Sequence, residues 1–188
     1  MQSTASQQRD TVASLVHEDL RSARELSGRI EDPWYRAQAY GWVARYASSD
    51  DWAYDMAKEG FEAAADCGDA FQQVCAAAWP IRALIERDLV APALEMLEIS
   101  LGALPRVDPA SSKAEAMLLV LQAAWESGEE FRRSIAFALA ELKDEDDHWR
   151  VERAFHDACD LLSADDADFV EKLGGGKGKE LTPRQFFW

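Results

Sequence analysis

His156 and Cys159 stand three positions apart, the spacing that puts an imidazole and a thiol on one face of a helix, where they could act as a thiol–imidazole pair or supply two metal ligands. Either chemistry needs further groups. No second pair of ligands with suitable spacing accompanies them, and the expectation is a packing pair rather than a metal centre. The run Asp144-Glu145-Asp146-Asp147 carries enough carboxylate for a divalent cation, but lacks the central glycine and distal glutamate of a calcium loop. It reads as a loop that N-caps the helix starting near Trp149, where acids favour the positive end of the helix dipole. A phosphate-binding glycine loop, a dinucleotide fingerprint and a nucleophile elbow are all absent from the sequence. The three cysteines, Cys67, Cys75 and Cys159, are an odd number with no close pair, and each sits among alanine-rich helical residues as a small apolar side chain. No catalytic residue, cofactor or metal site is therefore expected, and the chain is read as a non-enzyme.

A second set of residues suggests recognition. Trp42 and Trp79 fall in one helical column, one position off the apolar face, with Gln38 beside the first and Arg45 and Arg82 following in register. Tryptophan and arginine are the residue types that anchor partners in interfaces, so Gln38, Trp42, Arg45, Trp79 and Arg82 form the candidate partner-binding stripe. The same column allows a second reading, in which the tryptophans fill the contact between neighbouring helix pairs and the arginines extend outward.

The elements that must position this stripe follow from the stretch Asp32–Ala47, DPWYRAQAYGWVARYA. Ala37, Tyr40, Gly41, Ala44 and Ala47 make one face of a helix, entered through an Asp-Pro start that suits a first turn. A shift of 37 residues lays Asp69 on Asp32, Phe71 on Trp34, Trp79 on Trp42 and Arg82 on Arg45. Two further copies, shifted by about 40 residues and then to near residue 148, give the small or apolar columns Ala37/Val74/Ala114/Val151 and Ala44/Ile81/Leu121/Ala158. Between the copies, 52–66, 89–104 and 129–142 are again apolar at helical spacing. Before them, 1–9 reads as a frayed, disordered tail, and a helix starts after Asp10 and runs to Leu26. Pro80 predicts a kink or a break into two shorter helices within the second copy. The loop 105–112, PRVDPASS, is expected to space the third pair from the second, and 164–173 reads as a capping half-repeat. The expected architecture is all-α: a right-handed αα-superhelix, or α-solenoid, of about four antiparallel helix pairs over residues 10–173, with an irregular helical bundle as the alternative.

The segments DPWYRAQAYGWVA and DDHWRVERAFHDA, with an Asp turn and an arginine in the second helix, resemble tetratricopeptide-like and HEAT-like helical-repeat proteins. The resemblance spans roughly residues 11–173. The period exceeds 34 residues and the tetratricopeptide tryptophan-leucine-glycine-tyrosine signature is missing, which places the Asp turn and arginine nearer the HEAT pattern. The resemblance implies a superhelix that binds peptides or protein surfaces, and it implies no catalytic residue.

Residues 174–188 begin as a glycine-rich linker and end in LTPRQFFW. Phe186, Phe187 and Trp188 are costly to leave in water, at about 1.5–3 kcal/mol each, and are expected to bind in a groove, in a partner or in a second copy as a homodimer contact. The formal charge is −15, and residues 141–172 carry 12 acids against 4 bases. That balance argues against direct nucleic-acid binding, which needs clustered cations. It is read as a solvated surface or as a face for a basic partner. MQSTASQQRD lacks the apolar run of a signal peptide, no apolar stretch approaches a membrane span, and a cytoplasmic location without membrane contact is expected. Two functions follow: a scaffold or adaptor binding a protein or peptide partner through a solenoid groove, or an acidic inhibitor or immunity-type protein that blocks a basic partner such as a nuclease.

Overall fold

Ten α-helices and two short 3-10 turns make up the described part of the chain, residues 3–174 of a computed structural model, and no strand occurs among those residues. The fold is all-α. It divides between Arg106 and Val107 into two compact units, where the sequence places one repeat domain over 10–173. The division falls inside PRVDPASS, the connection expected to space the helix pairs.

The first unit holds α1 (Ala5–Leu15), α2 (Leu20–Arg29), α3 (Pro33–Tyr46), α4 (Asp50–Ala65), α5 (Ala70–Glu86) and α6 (Val90–Leu101). The starts of α1 to α5 each have a side-chain cap. Asp32 Oδ1 accepts from the Trp34 backbone N–H at 2.9 Å and Pro33 takes the first helical position, so α3 opens as its sequence requires. Asp69 caps α5 in the same way, accepting from Gln72 N–H at 2.8 Å, and Ser49 caps α4. The N-terminal segment departs from expectation: α1 begins at Ala5, inside the stretch read as frayed, because Thr4 and Gln7 form a reciprocal capping box. The helix expected from Asp10 to Leu26 is two helices, broken at His17–Asp19, with Asp19 accepting from Ser22 N–H to start α2.

Pro80 does not split α5, which runs as one helix from Ala70 to Glu86 with the proline buried inside it. Packing offsets the local cost, about 3 kcal/mol for an interior proline. A Cβ placed on Gly60 of α4 would lie 3.5 Å from Pro80 Cβ, so α4 comes close against the proline ring. The helices contact in a repeating order: α1 with α2 and α3, α2 with α3, α3 with α4 and α5, α4 with α5, and α5 with α6.

The second unit holds α7 (Ala110–Ala123), α8 (Glu129–Glu145), α9 (Trp149–Ser163) and α10 (Ala167–Lys172), and there α7 touches α8 and α9, α8 touches α9, and α9 touches α10. The acidic run 144–147 is not the simple N-cap expected. Its first two residues extend α8, and His148 caps α9 by accepting from Arg150 N–H through Nδ1 at 3.2 Å, while Asp146 supports His148. α10 is fastened by the buried Val170 and by Arg133, which donates to Asp166 at 2.6 Å and lies over Phe169. That hydrogen bond holds the Asp166 carboxyl below its ordinary value.

The residues aligned in the two sequence columns are all buried. Ala37, Val74, Ala114 and Val151 are at most 1% exposed, and Ala44, Ile81, Leu121 and Ala158 are fully buried. Small residues there let helices approach closely. A Cβ on Gly41 would lie 3.1 Å from the backbone carbon of Trp79, which sets how near α3 and α5 cross.

Candidate functional site

The crossing of α3 and α5 at Gly41 places Trp42 against Trp79, with ring centroids 6.3 Å apart. One turn along α3, Tyr46 stacks on Trp42 at 6.2 Å, and His17, just after α1, meets Tyr46 edge-on at 4.5 Å. The Arg45 guanidinium lies over the Trp42 ring at 4.8 Å. The result is a continuous ladder of rings, half-buried at Trp42 and Trp79 and 39% exposed at Tyr46.

Charge is organised around one carboxylate. Glu86 at the end of α5 forms an ion pair with Arg45, whose Nε lies 2.5 Å from one oxygen, and accepts a hydrogen bond from Arg82 Nε on the other at 2.7 Å. The bridge ties α3 to α5 and keeps the Arg45 guanidinium over the Trp42 ring. With Arg45 16% exposed and Glu86 31%, this pair is better sheltered than an ordinary surface ion pair. The end of α3 is closed by Arg87, which donates to the carbonyls of Arg45 and Ala47 and to Asp50 at 2.9 Å, so one guanidinium joins the end of α3 to the start of α4.

Of the stripe, Trp42, Arg45, Trp79 and Arg82 are therefore brought together. Gln38 is not part of that face. It is 4% exposed, and its Oε1 accepts from Arg9 of α1 at 2.5 Å. The sequence reading missed the first part of α1, residues 5–9, and with it Arg9, which covers Gln38. It also missed Tyr46 and Glu86, although each stands four residues after a named member, Trp42 and Arg82, the spacing at which helical side chains meet. His17 carries no comparable signal, since it follows a helix end. Phe186, Phe187 and Trp188 lie outside the described residues.

The remaining candidates are placed plainly. Cys159 is buried and its thiol is pushed up to about 11, by burial first and then by Asp160, which is the opposite of what a nucleophilic thiolate needs. His156 instead faces Glu152, 3.8 Å away, and packs its ring near Phe155. Among the described residues no three His, Cys, Asp or Glu side chains gather where a metal could be held. Among the same residues no helix is long and apolar enough to cross a membrane. What the ladder offers chemically is a run of aromatic rings, stacked at Trp42–Tyr46 and inclined at its two ends, edged by guanidinium groups and suited to holding a side chain.

No family model, curated protein or solved structure matches the chain.

Proposed function

We propose that the chain is a non-enzymatic interaction module, a scaffold or adaptor whose helix pairs wind as an αα-superhelix and bind a peptide or protein surface along α3 and α5. The carrying observation is the ring ladder His17–Tyr46–Trp42–Trp79 with Arg45 and Arg82 in register, part-exposed and rigidly held. Rings anchored in this way lose little side-chain freedom on binding, which is why aromatic and arginine side chains dominate interface energetics. The order of helix contacts in the first unit supports the superhelix, because α1 and α3 each meet both their own partner and the next odd-numbered helix, as stacked hairpins do.

A second reading rests on the acids of 141–172, of which Glu141, Asp144, Glu145 and Asp147 are exposed together. That surface suits an inhibitor of a basic protein. Affinity capture with wild-type chain and with Trp42→Ala/Arg82→Ala separates the two. The module reading expects the partner to stay bound at 0.5 M salt and to lose at least about tenfold in affinity on the double substitution. Loss of the half-buried Trp42 ring is expected to cost roughly 2 kcal/mol of stability, a melting shift of several degrees. Loss of the partner with salt, and indifference to the double substitution, selects the acidic surface. Unfolding of the variant at ambient temperature would make the ladder core.

A further inference from the structure

At the other end of α3, some 12 residues or about 18 Å along the helix from Tyr46, the first unit has an open cleft of about 580 Å³. Its walls are Asp32, Trp34, Tyr35 and Phe71, with Pro33, Gly68 and Gln72 completing it. The three rings are half-buried, each showing part of its surface. They come together because the 37-residue shift that lays Asp69 on Asp32 also lays Phe71 on Trp34, and α3 and α5 pack side by side.

Aromatic faces carry negative quadrupole potential and attract cations, most strongly organic cations whose hydration is weak. Outside the lining of the cleft, Tyr35 already meets one such group from α1: the Arg9 guanidinium lies 5.8 Å from its ring centroid. Carboxylates surround the same end. Asp32 lines the cleft, Asp69 caps the neighbouring helix, and Asp66 pairs with Arg36 at 2.9 Å. Their joint field is felt at Cys67, whose thiol is pushed up to about 11 by burial first and then by Asp32, Asp66 and Asp69. A neutral apolar ligand would gain from the rings alone. A cation gains from the rings and the carboxylates together.

We propose that this cleft binds the guanidinium of an arginine side chain presented by a partner peptide, seated among Trp34, Tyr35 and Phe71 with its charge toward Asp32. The site lies apart from the Trp42/Trp79 ladder and stands or falls independently of it.

The test uses the full chain, isotope-labelled for NMR, and two blocked tripeptides, Gly-Arg-Gly and its neutral near-isostere Gly-citrulline-Gly. The readout is the indole N–H of Trp34, assigned by its loss in Trp34→Phe. The arginine peptide is expected to shift that resonance saturably, binding at least about fivefold more tightly than the citrulline peptide. Asp32→Asn keeps an oxygen that can cap α3, so its fold is retained while Arg-peptide affinity falls about threefold or more. Phe71→Leu keeps an apolar side chain and is expected to weaken binding about fivefold. Equal shifts with both peptides, no shift of the Trp34 indole, or unchanged affinity in both folded variants would overturn the proposal. Because the readout sits on Trp34, its failure is distinct from a failure at Trp42.

Discussion

Arg45 shows how one side chain takes its role from neighbours on two elements. Trp42, three residues back on α3, supplies a ring face, and Glu86 on α5 supplies the charge that keeps the guanidinium there. A column of tryptophans was legible in the sequence because identical residue types recur at a fixed shift. The carboxylate was not, since its partner lies on another helix and only the i,i+4 relation to Arg82 hints at it. Gln38 was misplaced for a different reason: its polarity suggests a surface, but Arg9 satisfies it in the interior. The thiols make a separate prediction at this scale. Cys67 and Cys159 are buried, and each is raised to about 11. A thiol with a raised value favours the folded state below its ordinary ionisation range, and that contribution is lost as pH climbs toward 11. At pH 8 both are protonated and covered, so a disulfide reagent is expected to label them on the order of a hundredfold more slowly than an exposed thiol, with full labelling in denaturant. Fast labelling of Cys159 in the native protein would instead mark the His156/Cys159 pair as reactive.

Helix starts were legible at Asp32, Ser49 and Asp69, where a short polar side chain precedes an apolar face. The start of α1 was placed too late, after Asp10, because its cap is written in polar residues, Thr4 and Gln7, and Val12 is its single buried residue. The break before α2 escaped because Val16, Leu20 and Ala23 keep helical phase across it. Of the two outcomes Pro80 allowed, a kink or a break, the break does not occur, because α5 runs unbroken through the proline. The α3–α5 crossing gives the prediction at this scale. Gly41 sits where a side chain would meet the backbone of Trp79 at 3.1–3.3 Å, so the two helices cannot keep their distance around a larger residue. Gly41→Leu is expected to cost about 2–3 kcal/mol, read as a lower urea midpoint with an unchanged slope. It should also part Trp42 from Trp79, visible as a change in near-ultraviolet circular dichroism. A neutral or stabilising result would mean that α3 and α5 are not held by this close contact.

For the molecule as a whole, the all-α class followed from periodicity, and the boundary at 106/107 fell in the loop with two prolines that the sequence singled out. The partner is not written in any motif, because a binding face is a juxtaposition of helices far apart in sequence and carries no signature of its own. Two faces of different chemistry compete for that role: the aromatic and arginine ladder of the first unit and the exposed acids of the second. Amide hydrogen exchange on the purified complex with its captured partner tests the central claim most directly, since it reads both faces in one measurement. The account predicts slowed exchange on partner binding in the last two turns of α3 and in α5 around Trp79–Glu86, with residues 141–172 unchanged. Protection confined to 141–172, with α3 and α5 exchanging as in the free chain, would contradict it.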